Sequence, residues 1–336
     1  MHKKPKILVV GSFVMDLTVT TERFPDSGET VLGRSFKTAP GGKGANQAVQ
    51  AARLGADVTM VGKVGNDDFG KRLINSCREA GIHTEHILVG ENSCSAVGNV
   101  ILEVGAHKTT ANRIIVIPGA NMEITPDEIG FLKDSIGRYD LVILQLEIPM
   151  EINELVAEYA YNSHVPVMLN PAPSAKLSPA LLSRLTYLSP NEHEAADLTG
   201  IPIRREGKTA NPDDVGATLN ALLAAGVRNA VITLGNAGVA AADGKDICRL
   251  PCVDVVEVKD PTAAGDSFVG AFSAGVCMGM KMEQALTFAN FAATLTVSRA
   301  GAQPSLPSLE EVVGLLKSQH NSLADFFEAD GTEVSL

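Results

Sequence analysis

The sequence lacks several features that mark particular classes of protein. No apolar run approaches the ~18 residues of a membrane-spanning helix, and the start, MHKKPKILVVG, lacks the apolar stretch of a signal peptide. Lysine and arginine are scattered, and the net charge is −11. Because phosphate backbones require a basic surface, we expect no nucleic-acid partner, and because a membrane-spanning run is lacking, we expect no membrane partner. A small anionic ligand would have to be bound locally, by backbone N–H groups, metal ions and one or two cations.

The cysteines form no framework. There are five, and they follow no regular spacing: Cys77, Cys94, Cys248, Cys252 and Cys277. Cys248 and Cys252 are four residues apart but have no partner pair, which disfavours a zinc site. An odd count without a disulfide pattern is typical of the reducing cytoplasm, where we expect the protein to be located.

Two common nucleotide-binding motifs are also absent. The first apolar run leads into VVGSFVMD (9–16), which is not the G-x-G-x-x-G of a dinucleotide fold, so a dehydrogenase is disfavoured. GGKGANQA (41–48) is glycine-rich, but Gly44 follows Lys43 where a P-loop requires serine or threonine. This segment is either a tight turn before a helix or a place where polar groups stand beside bare backbone to bind hydroxyls.

Short apolar runs alternate with helical patterns along most of the 336 residues. The apolar runs predict buried strands at 7–11, 57–65, 140–147, 165–171, 186–192 and 229–235. The stretches between them include predicted helices that end at a glycine, at 44–55, 69–81 and 213–226. This alternation predicts an α/β fold, with a mostly parallel sheet and helices on both of its faces.

Two regions interrupt the alternation. Residues 17–39 and 96–117 have the polar alternation and turn residues of strand pairs, and they predict a small β-element that projects from the main sheet. It is either a lid over a site or an edge hairpin, and its exposed edges could pair with a second subunit. We assign residues 5–318 to one domain that contains these segments. Residues 319–336 show no clear periodicity and form a C-terminal extension.

An aspartate begins the apolar helical stretch within DPTAAGDSF (260–268). One interpretation is that Asp266 is a helix N-cap. The other is that the small residues before it leave backbone N–H groups free to bind a phosphate. Asp266 would then be the base that takes a proton from an attacking hydroxyl.

Other candidates follow strands that are predicted to end at the same edge of the sheet. Glu147 ends an apolar run, where it either returns the chain to solvent or serves a site. Asn191 and Glu194 are three apart, which suits a helix cap or the support of a metal and phosphate. ITLGNAG (232–238) either cradles a nucleotide or simply turns.

Five segments stand in a characteristic order: GGKGANQA, NPAP (170–173), PNEHEAADLTG (190–200), ITLGNAG and DPTAAGDSF. In order and spacing they resemble the ribokinase-like (PfkB) sugar kinases over about residues 6–316. The resemblance implies a three-layer α/β/α sandwich with a small β-sheet lid, and a homodimer formed through the lid. It implies an ATP-dependent kinase that uses Mg²⁺ and K⁺ and phosphorylates a primary hydroxyl of a pentose, D-ribose above all. A sugar- or nucleotide-binding regulator without catalysis is the alternative, which the intact AAGD (263–266) disfavours.

The resemblance also implies roles for individual residues. Asp266 matches the catalytic base, and the anion hole matches Ala263, Ala264 and Gly265. The family positions that contact the sugar correspond to Asp16, Gly42, Lys43, Asn46, Glu147 and Asp266. Nucleotide contacts match Asn191, Thr233, Gly235, Gly238, Gly265 and Asn290, and Glu194 matches a residue that supports Mg²⁺ through water. The loops that hold a monovalent cation, usually K⁺, match Asp260, Thr262, Thr296, Arg299, Gly301 and Ser305.

The sequence departs from the family pattern at two positions. Pro261 replaces a common threonine and would stiffen the loop before the anion hole. Val14 stands where many relatives have asparagine beside the sugar. Valine cannot form a hydrogen bond, so a 2-hydroxyl would lose a partner unless another group, such as Asn99, compensates. 2-Deoxyribose is therefore the rival acceptor. Nucleosides rank lower, because Phe13 is the one aromatic residue near the presumed sugar loop.

Overall fold

The apolar segment KILVV forms an interior strand of a nine-stranded sheet, and four of its five residues are completely buried. The computed structural model describes residues 4–105 and 109–328. Its fifteen strands are β1 (Lys6–Val10), β2 (Val14–Thr21), β3 (Gly33–Gly41), β4 (Asp57–Gly65), β5 (Ile87–Gly90), β6 (Val97–Val104), β7 (Thr109–Ile117), β8 (Leu141–Gln145), β9 (Val167–Asn170), β10 (Tyr187–Leu188), β11 (Arg205–Glu206), β12 (Thr209–Ala210), β13 (Asn229–Thr233), β14 (Val239–Ala242) and β15 (Ile247–Leu250), counted over the described residues.

The described residues also form twelve α-helices. They are α1 (Lys43–Arg53), α2 (Asp68–Glu79), α3 (Pro126–Ile129), α4 (Leu132–Ser135), α5 (Met150–Asn162), α6 (Pro179–Arg184), α7 (Glu192–Thr199), α8 (Pro212–Ala224), α9 (Ala264–Cys277), α10 (Met282–Val297), α11 (Leu309–Ser318) and α12 (Ala324–Glu328). The predicted strands and glycine-terminated helices all occur, with ends that differ by a few residues.

The main sheet has the strand order β15-β14-β13-β10-β9-β8-β1-β4-β5. The strands from β13 to β5 are parallel, and β14 and β15 are antiparallel to their neighbours. One apolar core includes residues of α1, α2, α9 and α10, and a second includes residues of α5, α6 and α8. The predicted three-layer α/β/α sandwich is therefore confirmed. The parallel strands direct their carboxyl ends to one edge, where such folds bind ligands.

The two interrupting regions form a separate four-stranded sheet with the order β3-β2-β6-β7. β2 and β6 are parallel, whereas β3 and β7 pair antiparallel at the two sides. The sheet begins at Val14, three residues earlier than predicted, because β2 follows almost directly from β1. Residues 106–108 of the second predicted segment lie outside the described residues.

The chain after residue 318 is partly structured. Within it, α12 packs against the domain, with 5.4 Å between the ring centroids of Phe327 and Phe288. Lys317 forms an ion pair of 2.9 Å with Glu328. The predicted domain end at 318 therefore precedes one further short helix, and residues 329–336 lie outside the described residues. In residues 4–105 and 109–328, no helix combines the length and the apolar character that crossing a membrane requires.

Candidate active site

The loop after β1 and the start of α1 meet at the carboxyl edge of the main sheet. Gly42 is the N-cap of α1 and has a φ of 93°, which L side chains rarely adopt. A Cβ at Gly42 would lie 2.6 Å from the backbone nitrogen of Val14, and one at Gly44 would lie 2.4 Å from that of Ser12. Both glycines are therefore needed for α1 to begin this close to the first strand. GGKGANQA does form the tight turn that one interpretation predicted.

Glu147, in the loop after β8, holds this junction together. Its Oε2 accepts a hydrogen bond from the Ser12 hydroxyl at 2.5 Å and another from the backbone N–H of Lys43 at 3.0 Å. The carboxylate therefore lies inside the site, and the interpretation that it merely returns the chain to solvent is wrong. By bonding to both loops, Glu147 fixes their separation.

Asp16 lies on β2, on the inner face of the small sheet. Glycines on the two neighbouring strands make room for its carboxylate, since a Cβ at Gly41 would lie 2.6 Å from Oδ2 and one at Gly98 would lie 2.7 Å from Oδ1. Burial, together with the nearby carboxylates of Glu147 and Asp266, raises the pKa of Asp16 to about 6. An ionised Asp16 is thus costly in the free protein, and a hydroxyl donor would stabilise it.

This shift predicts a dependence of stability on pH. Between pH 3.8 and about pH 6 the folded protein keeps a proton on Asp16 that the unfolded chain releases, so stability falls as the pH rises through this window. We expect Asp16→Asn to gain on the order of 2 kcal/mol relative to wild type by pH 7, and to lose that advantage near pH 4. Urea denaturation of both proteins at pH 4, 5, 6 and 7, without sugar, measures the difference. A difference that stays constant with pH would contradict the prediction.

Asp266 lies in the first turn of α9 and is 7% exposed. Its Oδ2 accepts a hydrogen bond from Asn46 Nδ2 at 2.9 Å, and its Oδ1 accepts one from Gln47 Nε2 at 3.0 Å. The interpretation of Asp266 as the N-cap is wrong, because Ala263 is the N-cap, with a φ of 61° and no side-chain cap bond. Two amide groups of α1 hold the carboxylate instead.

The anion hole was expected to consist of the backbone N–H groups of Ala263, Ala264 and Gly265, and one of these is not free. The N–H group of Ala264 donates to the carbonyl of Pro261 at 3.2 Å. Among the described residues, none accepts a hydrogen bond from the N–H groups of Ala263, Gly265 and Asp266. Three free N–H groups at a helix N-terminus favour an anion, because their partial positive charges add to that of the helix dipole.

Two cavities meet at Asp266. The larger has a volume of about 640 Å³ and lies between the small sheet, the start of α1, and loops 259–263 and 300–302. The smaller has a volume of about 200 Å³ and lies between the start of α9 and the ends of β9, β10 and β13. The larger cavity is lined by every residue predicted to contact the sugar: Asp16, Gly42, Lys43, Asn46, Glu147 and Asp266. Lys43 and Asp266 line both cavities, so groups bound in the two would meet beside them.

Lys43 supplies a positive charge at this junction. Burial opposes its charge, but Asp266, Glu147 and Glu194 outweigh that effect and raise the pKa of Lys43 above its ordinary value. The side chain therefore remains an ammonium group between the two cavities. A phosphoryl group that moves from one cavity toward the other would pass this cation and the free N–H groups of α9.

Asn191 and Glu194 form the capping box of α7. The Oδ1 of Asn191 accepts from the backbone N–H of Glu194 at 2.9 Å, and Oε2 of Glu194 accepts from the backbone N–H of Asn191 at 2.8 Å. The capping interpretation is therefore confirmed. Both residues also line the smaller cavity, together with Thr233, and burial raises the pKa of Glu194. Capping fixes their positions at this cavity and leaves a role toward phosphate open.

The structure does not bring the other predicted nucleotide positions into either cavity. Gly235 and Gly238 lie at the two ends of the short 3₁₀ turn between β13 and β14. Asn290 lies on α10, where its Nδ2 donates to the carbonyl of Pro251 at 2.7 Å.

The residues predicted to surround a monovalent cation lie on loop 259–263, at the C-terminal end of α10 and in the segment that follows α10. Asp260 accepts hydrogen bonds from the N–H groups of Thr262 at 2.9 Å and Gly301 at 2.8 Å. Although burial opposes its ionisation, these bonds hold the pKa of Asp260 below its usual range. The other predicted side chains have protein partners: Thr296 bonds to Ala292 and Ser267, Ser305 to Ala302, and Arg299 to Glu311. The guanidinium group of Arg299 has no acceptor, so toward a cation this residue has only its carbonyl oxygen to offer.

Val14 lines the larger cavity and is almost fully buried. The expectation that Asn99 compensates for it is wrong. Gly98, Val100 and Leu102 of β6 line the cavity, and because side chains alternate along a strand, Asn99 lies on the opposite face of the small sheet. Asn112, on the neighbouring β7, lines the cavity instead.

Comparison with known proteins identifies the family. The pfkB family of carbohydrate kinases matches residues 4–309. The chain belongs to the pfkB family of carbohydrate kinases. It is 41% identical over 310 residues to a ribokinase of Bacillus subtilis, covering 92% of this chain and 99% of the relative. It is 33% identical over 306 residues to a deoxyribokinase of Salmonella typhi, covering 91% of this chain and 96% of the relative.

A solved structure of Arabidopsis thaliana ribokinase, complexed with ribose and ATP, has the same fold. It superposes with a TM-score of 0.84 at 31% identity, and the match covers 94% of this pfkB kinase and 99% of the plant chain. The predicted family and the predicted α/β architecture are thereby confirmed.

Several polar residues of this pfkB kinase support the site although no sequence motif points to them: Ser12, Gln47, Gln145 and Asn170. Gln47 and Asn170 lie within the motifs GGKGANQA and NPAP, but nothing in either motif assigns them a partner. Their side chains bond to each other at 3.2 Å although 123 residues separate them. Local patterns carry no information about contacts of this kind.

Proposed function

We propose that this protein is an ATP-dependent kinase that converts D-ribose and ATP to D-ribose 5-phosphate and ADP. The observation that carries the proposal is the position of Asp266, a buried carboxylate held by two amides at the point where the two cavities meet. The sugar would occupy the larger cavity and the ATP phosphates the smaller. The Bacillus and Arabidopsis relatives support both the substrate and the nucleotide.

In this mechanism Asp266 accepts the proton of the sugar 5-hydroxyl as the hydroxyl oxygen attacks the γ-phosphorus of ATP. The new P–O bond forms as the bond to the bridging β,γ-oxygen breaks, and ADP leaves with that electron pair. The transferred group gathers negative charge on its equatorial oxygens. The free N–H groups of Ala263, Gly265 and Asp266, and the ammonium group of Lys43, supply the complementary positive charge.

The chemistry of the larger cavity suits a sugar. Asp16 and Asn46 supply acceptors for hydroxyl groups, and Oδ1 of Asn46 has no protein partner among the described residues. A buried acceptor without a donor is costly, so a sugar hydroxyl would relieve that cost. Apolar side chains of the small sheet, Val100, Ile114 and Val116 among them, would cover the C–H surface of the ring and exclude water.

Two cations complete the proposal. Mg²⁺ usually binds one or two carboxylates together with substrate phosphates, and Glu194 offers such a carboxylate at the smaller cavity. No group of three or more candidate metal ligands occurs within the described ranges, so Mg²⁺ would be held largely by ATP. When bound, it would neutralise phosphate charge. We place K⁺ between loops 259–263 and 300–302, which Asp260 holds together and where its carboxylate and backbone carbonyl groups would supply oxygen ligands.

A second acceptor, 2-deoxy-D-ribose, is favoured by one observation, the valine at position 14 of the larger cavity. A 2-hydroxyl left buried without a partner costs about 1–3 kcal/mol, which is roughly ten- to a hundred-fold in affinity. We expect Val14→Asn to raise the ratio of kcat/KM for ribose over deoxyribose by about tenfold.

Steady-state ADP production with Mg²⁺ and K⁺, from each sugar and with each protein, tests these statements. A wild-type preference for ribose supports D-ribose as the acceptor, and equal or better use of deoxyribose assigns the site to the deoxy sugar. No turnover with either sugar or with a wider panel would overturn the kinase assignment. Val14→Leu controls for the change in volume, and the same change of ratio in this variant would contradict the hydrogen-bond argument.

We also propose that the small sheet, which lines the larger cavity, acts as a lid over it. Two copies of the protein would form a homodimer through this sheet. Large apolar side chains lie exposed on it, including Phe36 and Ile115, and Leu32, directly before β3, is 92% exposed. Burying such side chains against a second copy would remove them from water.

We place the protein in the cytoplasm, because all five cysteines are free thiols, as is typical of a reducing compartment.

A further inference from the structure

A line of buried amide side chains lies behind Asp266. Gln47 and Gln145 are both completely buried. The Nε2 of Gln47 donates to Oδ1 of Asp266 at 3.0 Å and to Oδ1 of Asn170 at 3.2 Å. The Nε2 of Gln145 donates to Oε1 of Gln47 at 2.8 Å. The line thus runs from the end of β8, through α1, to the carboxylate at the start of α9.

Gln47 differs from its neighbour Asn46 in one respect. Asn46 lines the larger cavity, so it can contact a sugar as well as Asp266. Gln47 lines neither cavity, although it bonds to the other oxygen of the same carboxylate. Any effect of Gln47 on the reaction must therefore act through Asp266 or Asn170. With one amide on each oxygen, the carboxylate cannot rotate without breaking a hydrogen bond.

The orientation of each amide follows from the charge at one end of the line. An ionised carboxylate only accepts hydrogen bonds, so Gln47 must present its Nε2 to Asp266. Its Oε1 then faces Gln145, which must present its own Nε2 in turn. The Oε1 of Gln145 is left without a partner among the described residues. It occupies the space that a side chain at Gly11 would need, since a Cβ there would lie 1.9 Å from it.

An unpaired buried oxygen destabilises the folded state. An apolar side chain in place of Gln145 would remove this unpaired oxygen, but it would leave the buried Oε1 of Gln47 without its donor. The one function that the donor of Gln145 performs is to bond Oε1 of Gln47. That bond prevents the amide of Gln47 from turning its oxygen toward Asp266, where two acceptors would repel each other.

We propose that Gln47 is a positioning residue for the carboxylate of Asp266, and that Gln145 acts through Gln47 by fixing the orientation of its amide. This inference rests on the proposed kinase activity and adds to it. The carboxylate needs one fixed direction, because a small misplacement of a reacting group can slow a reaction by as much as about a hundredfold.

The test replaces each glutamine by methionine, which keeps the length of the side chain and removes its hydrogen bonds. We expect Gln47→Met to lower kcat by about 50-fold, with the KM values for sugar and ATP within about threefold of wild type. We expect Gln145→Met to lower kcat by about fivefold, because the amide of Gln47 then samples both orientations. The double variant should match Gln47→Met alone, because Gln145 has no separate route to Asp266.

Gln50→Met is the matched control. Gln50 lies one turn farther along α1 and is equally buried, but it bonds to Ser267 and to the carbonyl of Pro307 rather than to Asp266. The substitution Gln50→Met removes a buried amide from the same helix, so its kcat reports the effect of a local packing defect. Thermal unfolding of each variant verifies that it is folded at the assay temperature.

Three results would overturn the inference. They are a kcat of Gln47→Met within threefold of wild type, a fall no larger than that of Gln50→Met, and losses that multiply in the double variant. If Gln47→Met proves unfolded, Gln145→Met carries the test alone, and a kcat equal to that of Gln50→Met overturns it. Failure of the proposed function is distinct, because the wild-type protein would then show no sugar-dependent ADP production.

Discussion

Asp266→Asn is expected to lower kcat by about 10³-fold, since general base catalysis contributes between about 10² and 10⁴ in such reactions. The asparagine amide cannot take the proton of the attacking hydroxyl. The site should nevertheless remain assembled. The Oδ1 of Asn46 is without a protein partner, so its amide can turn and accept a hydrogen bond from the new Nδ2. We therefore expect the KM for sugar to change by less than fivefold.

The measurement is steady-state ADP production with saturating sugar, ATP, Mg²⁺ and K⁺, accompanied by thermal unfolding. Asp134→Asn is the matched control, because this exposed aspartate lies on α4, outside both cavities. It should retain the wild-type kcat. If Asp266→Asn also turns over at a rate near that of wild type, Asp266 is not the base, and the mechanism proposed above fails.

Asp16→Ala is expected to raise the KM for the sugar by about a hundredfold and to leave the KM for ATP within threefold. The carboxylate lines the larger cavity only, so its loss removes acceptors from sugar hydroxyls and none from the nucleotide. A hydrogen bond to a charged group contributes roughly 1.5–3 kcal/mol, and the upper part of that range corresponds to about two decades of affinity. Removing one of the clustered carboxylates should not destabilise the fold.

Titration of each substrate at a saturating level of the other separates the two KM values. Asp26→Ala, an exposed carboxylate in the loop between β2 and β3, is the control and should behave as wild type. A change of less than threefold in the sugar KM of Asp16→Ala would place the sugar elsewhere. Equal rises in both KM values would indicate a general disturbance of the site.

The sequence by itself determined the local structure and the family. Apolar runs predicted the buried strands, because a strand covered on both faces must be apolar throughout. Glycines predicted helix ends at Gly55 and Gly81, which have φ values of 96° and 77° that other residues rarely adopt. The order of the glycine-rich motifs predicted the carbohydrate kinase family, and the residues proposed for the sugar do lie in one cavity.

Only the tertiary structure decided which groups surround Asp266. Asn46 and Gln47 precede it by 220 and 219 residues, and only the packing of α1 against α9 brings their amides to its carboxylate. Packing also made Ala263 the N-cap of α9, and strand register turned Asn99 away from the sugar cavity. Local patterns depend on neighbours in the chain, whereas these contacts depend on the order of strands in the sheet. The line from Gln145 to Asp266 therefore became visible only in the folded protein.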